Sequence, residues 1–359
     1  NNKPSENKEQ VYKLKLFATG DGLIHSVIYR TYYKNGVYDF SDAVKYVKDI
    51  VKEYDIAYYN QETPTGDDSI AYSGYPMFYT PSAYVDAMRA VGFNTVSLAS
   101  NHSLDKGEKG ILNTVKYFKT TDILYNGMSD SETDRNNFII KEKNNITYTM
   151  LSYTTITNGL NVPAGKSYLL NKYDKEQVKK DIEAVRDKVD VLIVAMHWGV
   201  EYINMPNDEE KEIAEYLSSL GVDIVIGNHP HILQPITKIG DTIVMYSLGN
   251  FISNQYGGSN GDWNKLIGFM ATLDITKNVT KDNEVNMTFD NLGGELIFTK
   301  YKGNPVTTAV HSGHTVIPFS KMTDDSYLKD YERLYNKYTG VLKSLGQDLN
   351  IAPIGSRAN

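Results

Sequence analysis

Residues 222–231 read Val222-Asp223-Ile224-Val225-Ile226-Gly227-Asn228-His229-Pro230-His231. The short β-branched run Asp223–Ile226 predicts a buried strand, and Gly227 and Pro230 stop it at once. Two histidines and an asparagine are thereby placed just past the strand's carboxyl end. Directly upstream, Asp208–Leu220 has helical spacing and Val191–Met196 is another buried run, closed by His197. Helix Lys175–Val185 precedes it, so this stretch consists of βα units feeding a parallel sheet.

The same alternation holds at the amino-terminal end. Tyr12–Thr19 reads as a strand ending at Gly20-Asp21, and Ser41–Tyr54 carries Ala43, Val44, Val47, Ile50 and Val51 at helix spacing. Strand Ile56–Asn60, helix Ser82–Val91, strand Thr95–Ala99 and helix Lys109–Lys119 follow. Asn137–Tyr153 reads as a hairpin split by Lys141–Asn145, and Thr154–Tyr173 as a long loop. Beyond residue 231 the pattern is β-rich, with strands expected at Ile232–Ile239, Thr242–Ser247, Leu266–Ile275, Glu284–Phe289 and Leu296–Lys302. The expected fold class is α/β, as a sandwich of two sheets flanked by helices. The expected organisation is a flexible tether at residues 1–11, one domain at 12–322, and a carboxyl-terminal helix and tail at 323–359.

Polar residues follow the strands in a regular way. Strand ends deliver Asp21 and His25, then Asn60-Gln61-Glu62, Asn101-His102, His197, and finally Asn228, His229 and His231. Carboxyl ends of parallel strands converge on one rim, where ligands bind. Seven histidines exist in the chain, and His25, His102, His197, His229 and His231 all occupy such positions. Imidazole nitrogens, carboxylates and an asparagine carbonyl suit divalent manganese, zinc or iron. Donors this numerous suggest two ions, which a shared carboxylate holds roughly 3.5 to 4 Å apart to acidify water for hydrolysis.

These residues also carry a resemblance. Gly20-Asp21, Asn60-x-Glu62, Ser100-Asn101-His102-x-x-Asp105-x-Gly107, His197-Trp198-Gly199-x-Glu201-Tyr202, Gly227-x-His229-Pro230-His231 and Tyr246-Ser247-Leu248-Gly249-Asn250-Phe251 resemble, in order, the motif series of the CapA family. These are the poly-gamma-glutamate capsule synthesis proteins, and the likeness runs from about Lys13 to Thr299. It implies a calcineurin-like metallophosphoesterase fold, a four-layer α/β/β/α sandwich. It further implies that Asp21, Glu62 and His231 hold one metal, that Glu62, Asn101, His197 and His229 hold the second, and that Glu62 bridges. His102 matches a histidine that donates a proton to a leaving group, with Asp105 orienting it. Two departures stand out. His25 lies four residues after Asp21 rather than two, which leaves it open as a ligand or a supporting residue, and the bridging carboxylate is glutamate rather than aspartate. Glu201 is expected to support His197 or substrate rather than to bind metal.

Composition narrows the function classes. The chain has 359 residues, 37 basic against 44 acidic, no cysteine, and a net charge of −7. Without a basic cluster, nucleic acid is not an expected partner. The absence of cysteine is compatible with an oxidising compartment, and apolar runs fall far short of the roughly 20 residues a membrane helix needs. The polar start Asn1–Gln10 reads as a tether left by a removed anchor, or equally as a trimmed terminus. With the resemblance, this places the protein on the extracellular face of a bacterial cell membrane. Its implied partners are an anionic surface polymer or its precursor and membrane-bound capsule synthase subunits. The chemistry is then either dinuclear metal-dependent hydrolysis of a phosphoester or amide, or non-catalytic binding of polymer or synthase around a structural metal.

Two other features bear on function. Gly257-Gly258-Ser259-Asn260-Gly261 fits G-x-S-x-G, with His311 and His314 downstream, but the strand and helix that a nucleophile elbow requires are missing from the surrounding sequence. His311 and His314 are therefore expected at the surface or in turns. The 28 tyrosines suit scattered amphipathic surface positions, or stacking around a polymer or sugar.

Overall fold

The structure, a computed structural model, describes residues 8–255, 263–303 and 311–358. Strands that are apolar at every position must bury both faces, and period-two geometry divides their side chains between two cores. In Val191–His197, Val191, Ile193 and Ala195 enter one core while Leu192, Val194 and Met196 enter another. In Ile56–Gln61, Ile56 and Tyr58 separate in the same way from Ala57 and Tyr59.

Two main sheets result. The larger one, nine-stranded among the described residues, has along its main path Ser312–Pro318, Val285–Lys302, Ile267–Val279, Gln10–Gly22, Ile56–Gln61, Thr95–Ser97 and Leu124–Asn126. The last four are parallel to one another, and Ile267–Val279 returns antiparallel against Gln10–Gly22. In the smaller sheet Ile146–Thr154, Val191–His197, Ile224–Asn228 and Thr242–Met245 run parallel. One core draws Leu14, Leu16, Ile193 and Ile226 from both sheets. A second joins Phe17 and Tyr59 to Val85, Met88, Ile111 and Val115 of helices Ala83–Val91 and Gly107–Phe118. A third packs Val194 and Val225 against Val178, Ile182, Ile213 and Leu217 of helices Lys175–Val185 and Asp208–Ser219. The expected α/β class holds.

Local chemistry sets the element ends. Asn207 accepts the backbone N–H of Glu210 while the Glu210 carboxylate accepts that of Asn207, a capping box that starts helix Asp208–Ser219. Asp174 caps Lys175–Val185 through the N–H of Gln177.

Four elements differ from expectation. Ser41–Tyr54 forms two single-turn helices, Ser41–Val44 and Lys48–Val51, whose Val44, Val47, Ile50 and Val51 are buried; β-branched residues support a longer helix poorly. The hairpin turns at Asn144-Asn145, both in the left-handed region (φ 52° and 58°), and Lys141–Lys143 is already strand. The two strands expected at 284–289 and 296–302 are one continuous strand, Val285–Lys302. Ser312–Pro318 is a strand and not a turn, and it buries His311 and His314, 2% and 0% exposed.

The carboxyl-terminal helix, Tyr331–Leu342, sends Leu334, Tyr338 and Leu342 into the core between the sheets. Among the described residues no helix is long and apolar enough to cross a membrane. The G-x-S-x-G stretch 257–261 and residues 1–7 of the expected tether lie outside the described residues, and the tether ends earlier than residue 11, because Gln10 and Val11 already pair with Val279 and Asn278 in strand Gln10–Gly22.

Candidate metal centre

The carboxyl ends of Gln10–Gly22, Ile56–Gln61 and Thr95–Ser97 in one sheet meet those of Val191–His197 and Ile224–Asn228 in the other, and the sequence-predicted donors gather there. Asp21 is fully buried. Its Oδ1 accepts from Asn60 Nδ2 at 2.8 Å, and its Oδ2 lies 3.3 Å from the backbone nitrogen of His229 and 3.2 Å from His231 Nδ1. The Nε2 of His231 stands 3.5 Å from Glu62 Oε1 and 3.5 Å from Glu201 Oε1. Across the site, His197 Nε2 faces Asn101 Oδ1 at 3.0 Å, and the His197 and His229 rings are 4.8 Å apart. His229 and His231 have φ of 99° and 60°, left-handed values that side chains other than glycine rarely adopt. This strained turn aims both imidazoles at one point.

Glu62 is the group the protein leaves least satisfied. It is wholly buried, and neither carboxylate oxygen has a hydrogen-bond donor. Burial pushes its carboxyl well above the usual carboxylate range. His229 Nδ1 is likewise buried without a partner. Burial holds His197 well below the usual imidazole range and His229 down to about 4, so both are neutral, the form that ligates metals. Burial opposes the charged form of His231, yet Glu62 and Asp21 beside it raise its imidazole well above the usual range, and a divalent ion among these carboxylates would take the place of that proton. Two donor groups have ligand atoms within 4.8 Å of one another among the described residues: Asp21, Glu62 and His231, and Glu201, His229 and His231. This nitrogen and oxygen donor set fits a borderline divalent ion.

Not every candidate converges equally. Glu201, expected to support His197 or substrate, lies beside His231 on the exposed side and lines the cavity. His25 is in neither donor group. Its Nδ1 stands 3.1 Å from the backbone nitrogen of Asn254 and 3.1 Å from the carbonyl oxygen of Leu23. Asn254 Oδ1 accepts from His314 Nε2 at 2.7 Å and from His311 Nδ1 at 2.8 Å, so the two histidines expected at the surface brace the segment behind the site.

Burial lowers the His314 imidazole to about 3, and His25 to about 4, from an ordinary value of 6.5. The unfolded chain therefore takes up protons first as pH falls. Stability present above pH 6.5 is lost as pH falls from 6.5 toward 3. The expected result is a Tm that drops less steeply over this window in His314→Gln than in the unaltered protein, measured by calorimetry at a series of pH values.

His102 and Asp105 form a second pair. His102 Nδ1 donates to Asp105 Oδ2 at 2.8 Å, the same oxygen accepts the backbone N–H of Phe78 at 2.6 Å, and the His102 ring meets Phe78 edge-on at 4.7 Å. The carboxylate fixes the tautomer, which leaves Nε2 as the proton-exchanging nitrogen. A cavity of about 640 Å³ opens over these groups, lined by His25, Asn101, His102, Asp105, Glu201 and His231, and also by Tyr75, Phe78, Tyr202, Gln255 and Lys265. Of the residues that position ligands, Asn250 was missed as an individual. Its Oδ1 lies 3.0 Å from His231 Nδ1, and its place in the Tyr246–Phe251 motif was the available signal.

Residues 15–255 match a family model described as "Bacterial capsule synthesis protein PGA_cap". The chain is 31% identical over 175 residues to "Capsule biosynthesis protein CapA" of Bacillus anthracis, covering 48% of this chain and 43% of that protein. It is also 31% identical over 179 residues to "PGA biosynthesis protein CapA" of Bacillus subtilis (strain 168), covering 48% of this chain and 45% of that protein. The matches thus span less than half the length of either relative. Among solved structures, one of a hypothetical protein from Thermus thermophilus aligns with a TM-score of 0.45 at 13% identity, over 78% of this chain and 99% of that one.

Proposed function

Since this chain belongs to the bacterial capsule synthesis protein family PGA_cap, we propose that it acts in making a capsule or related surface polymer, as a metal-dependent hydrolase of a phosphoester or amide bond in an anionic polymer or its precursor. The observation that carries this reading is Glu62: a fully buried carboxyl group with no hydrogen-bond donor to either oxygen, grouped with Asp21 and His231. Asp21, Glu62 and His231 would hold one divalent ion, and Glu62, Asn101, His197 and His229 a second, of manganese, zinc or iron. Glu201, beside His231, is an additional candidate on the exposed side. When bound, such ions supply Lewis-acid chemistry, polarising a phosphoryl or carbonyl oxygen and making water acidic at neutral pH.

The chain's own residues then orient and protonate. Asp105 holds the His102 ring by its Nδ1–H and stabilises the imidazolium, so that Nε2, once it has taken up a proton, can deliver it to the departing oxygen or nitrogen. The His102→Gln variant is expected to lose on the order of 10²- to 10⁴-fold in kcat while its metal content stays at the wild-type level. Rate assays paired with elemental analysis check this, and a loss of metal would instead make His102 part of the ligand set.

In this reading the protein works at the outer face of the bacterial membrane, with membrane-bound capsule synthase subunits as partners. The test of the function is hydrolysis of p-nitrophenyl phosphate and of a gamma-glutamyl peptide by chelator-stripped protein, before and after manganese is restored. Turnover of either substrate that appears only with metal supports the hydrolase and chooses its bond. Metal uptake with no turnover of either favours a non-catalytic polymer- or synthase-binding role.

A further inference from the structure

The cavity has a cationic corner that the metal centre does not use. Lys265 is the one lysine or arginine among its described lining residues, whose acids are Asp105 and Glu201. The Lys265 ammonium lies 4.1 Å from the centre of the Tyr202 ring, and among the described residues no carboxylate pairs with it. A lysine held by an aromatic face keeps its three N–H donors for a ligand, which one held by a counter-ion does not.

This corner is built rather than incidental. Asn250 Nδ2 donates to the Lys265 carbonyl and to Gln255 Oε1, each at 2.8 Å, while Gln255 Nε2 donates to the Tyr202 hydroxyl at 3.1 Å. The other end of Asn250 faces His231, and the Tyr202 ring lies over His231 at 6.1 Å. One asparagine therefore ties the lysine, the glutamine and the metal-side histidine into a fixed arrangement, with the ammonium one aromatic ring away from His231. In a protein of net charge −7, the overall field repels anions, so an anion that enters this acidic cavity needs a local cation.

We propose that Lys265, seated on Tyr202, is a specificity-determining residue that binds an anionic group, carboxylate or phosphate, on the substrate unit adjoining the bond presented to the metal centre. The inference rests on the reading of this cavity as the place where a polymer is processed.

Equilibrium binding tests it without turnover. Manganese-loaded protein is titrated with gamma-linked triglutamate, with its neutral α-carboxamide, and with a glycerol phosphate trimer, and metal content is measured in every variant. The expected result is that one of the two anionic probes binds wild type roughly tenfold or more tightly than the carboxamide. Lys265→Gln removes that preference without weakening carboxamide binding, Lys265→Arg keeps most of it, and Tyr202→Leu reduces it. The source of the anion is read from whichever probe shows the preference. An equal preference in wild type and Lys265→Gln overturns the proposal, as does a wild type with no preference for either anion. Lysine-dependent binding without any hydrolysis would sink the hydrolase reading and leave this one standing.

Discussion

Glu62→Ala is expected to lose both divalent ions and at least about a thousandfold in kcat/KM, the largest effect of any single substitution at the centre. Glu62 shares one donor group with Asp21 and His231, which follow strands of different sheets, and the proposed centre uses it as the bridge to Asn101, His197 and His229. Removing the partner of a buried charge costs several kcal/mol because it strands what remains. Here Glu62 has no hydrogen-bond donor to either oxygen, and His231, its ion-pair neighbour, keeps Asp21 and Glu201 beside it, so the deletion strands no charge in the apo protein. The variant should therefore fold at least as well as the metal-free wild type. Elemental analysis beside a melting curve separates the two effects: metal lost with Tm kept is the expected pair. Metal retained at wild-type stoichiometry would remove Glu62 from its bridging role.

Gly227→Ala is expected to destabilise the fold by about 3 kcal/mol or more, at the upper end of what overpacking costs. A Cβ at Gly227 would sit 1.9 Å from the carbonyl oxygen of Tyr246 and 2.5 Å from Trp198 Nε1. Those two groups are bonded to each other at 3.0 Å in the core, so neither yields cheaply. The residue is glycine because two backbones touch there, and His229 and His231 follow from that contact. Gly340→Ala is the control. Gly340 lies in helix Tyr331–Leu342 and meets nothing within 4 Å, so alanine there should add roughly 0.5 to 1 kcal/mol. Chemical unfolding of the two variants measures both. Similar stability losses would mean that the first effect is not steric.

Much of the centre was legible because strand termini are legible. An apolar run that stops at Gly-Asp, Asn-x-Glu or Gly-Asn-His announces both the strand and what it presents, and Asp21, Glu62, Asn101, His197, His229 and His231 all gather where parallel strand ends meet. Helices Lys175–Val185 and Ala83–Val91 were legible from their period and end signals. What the pattern hid was backbone contact and long-range partnership. Gly293-Gly294 reads as a break between two strands, yet a Cβ at either position would lie 2.0 Å from a neighbouring backbone oxygen, of Asn350 or of Met270. The pair therefore permits a close approach within one strand. His311 and His314 carry no apolar periodicity, and only the fold brings Asn254 to them. Lys265 follows an Asn/Gly-rich stretch of sequence with no local feature to single it out, and its meaning depends on Tyr202, 63 positions earlier in the chain.

The most direct test of the central claim is a calorimetric titration of chelator-stripped protein with Mn²⁺, run at neutral pH on wild type and Glu62→Ala. The account predicts two equivalents bound by wild type, and loss of both sites in the variant. Wild type that takes up no manganese, zinc or iron above a denatured control, with Glu62 buried and without a hydrogen-bond donor all the same, would contradict it.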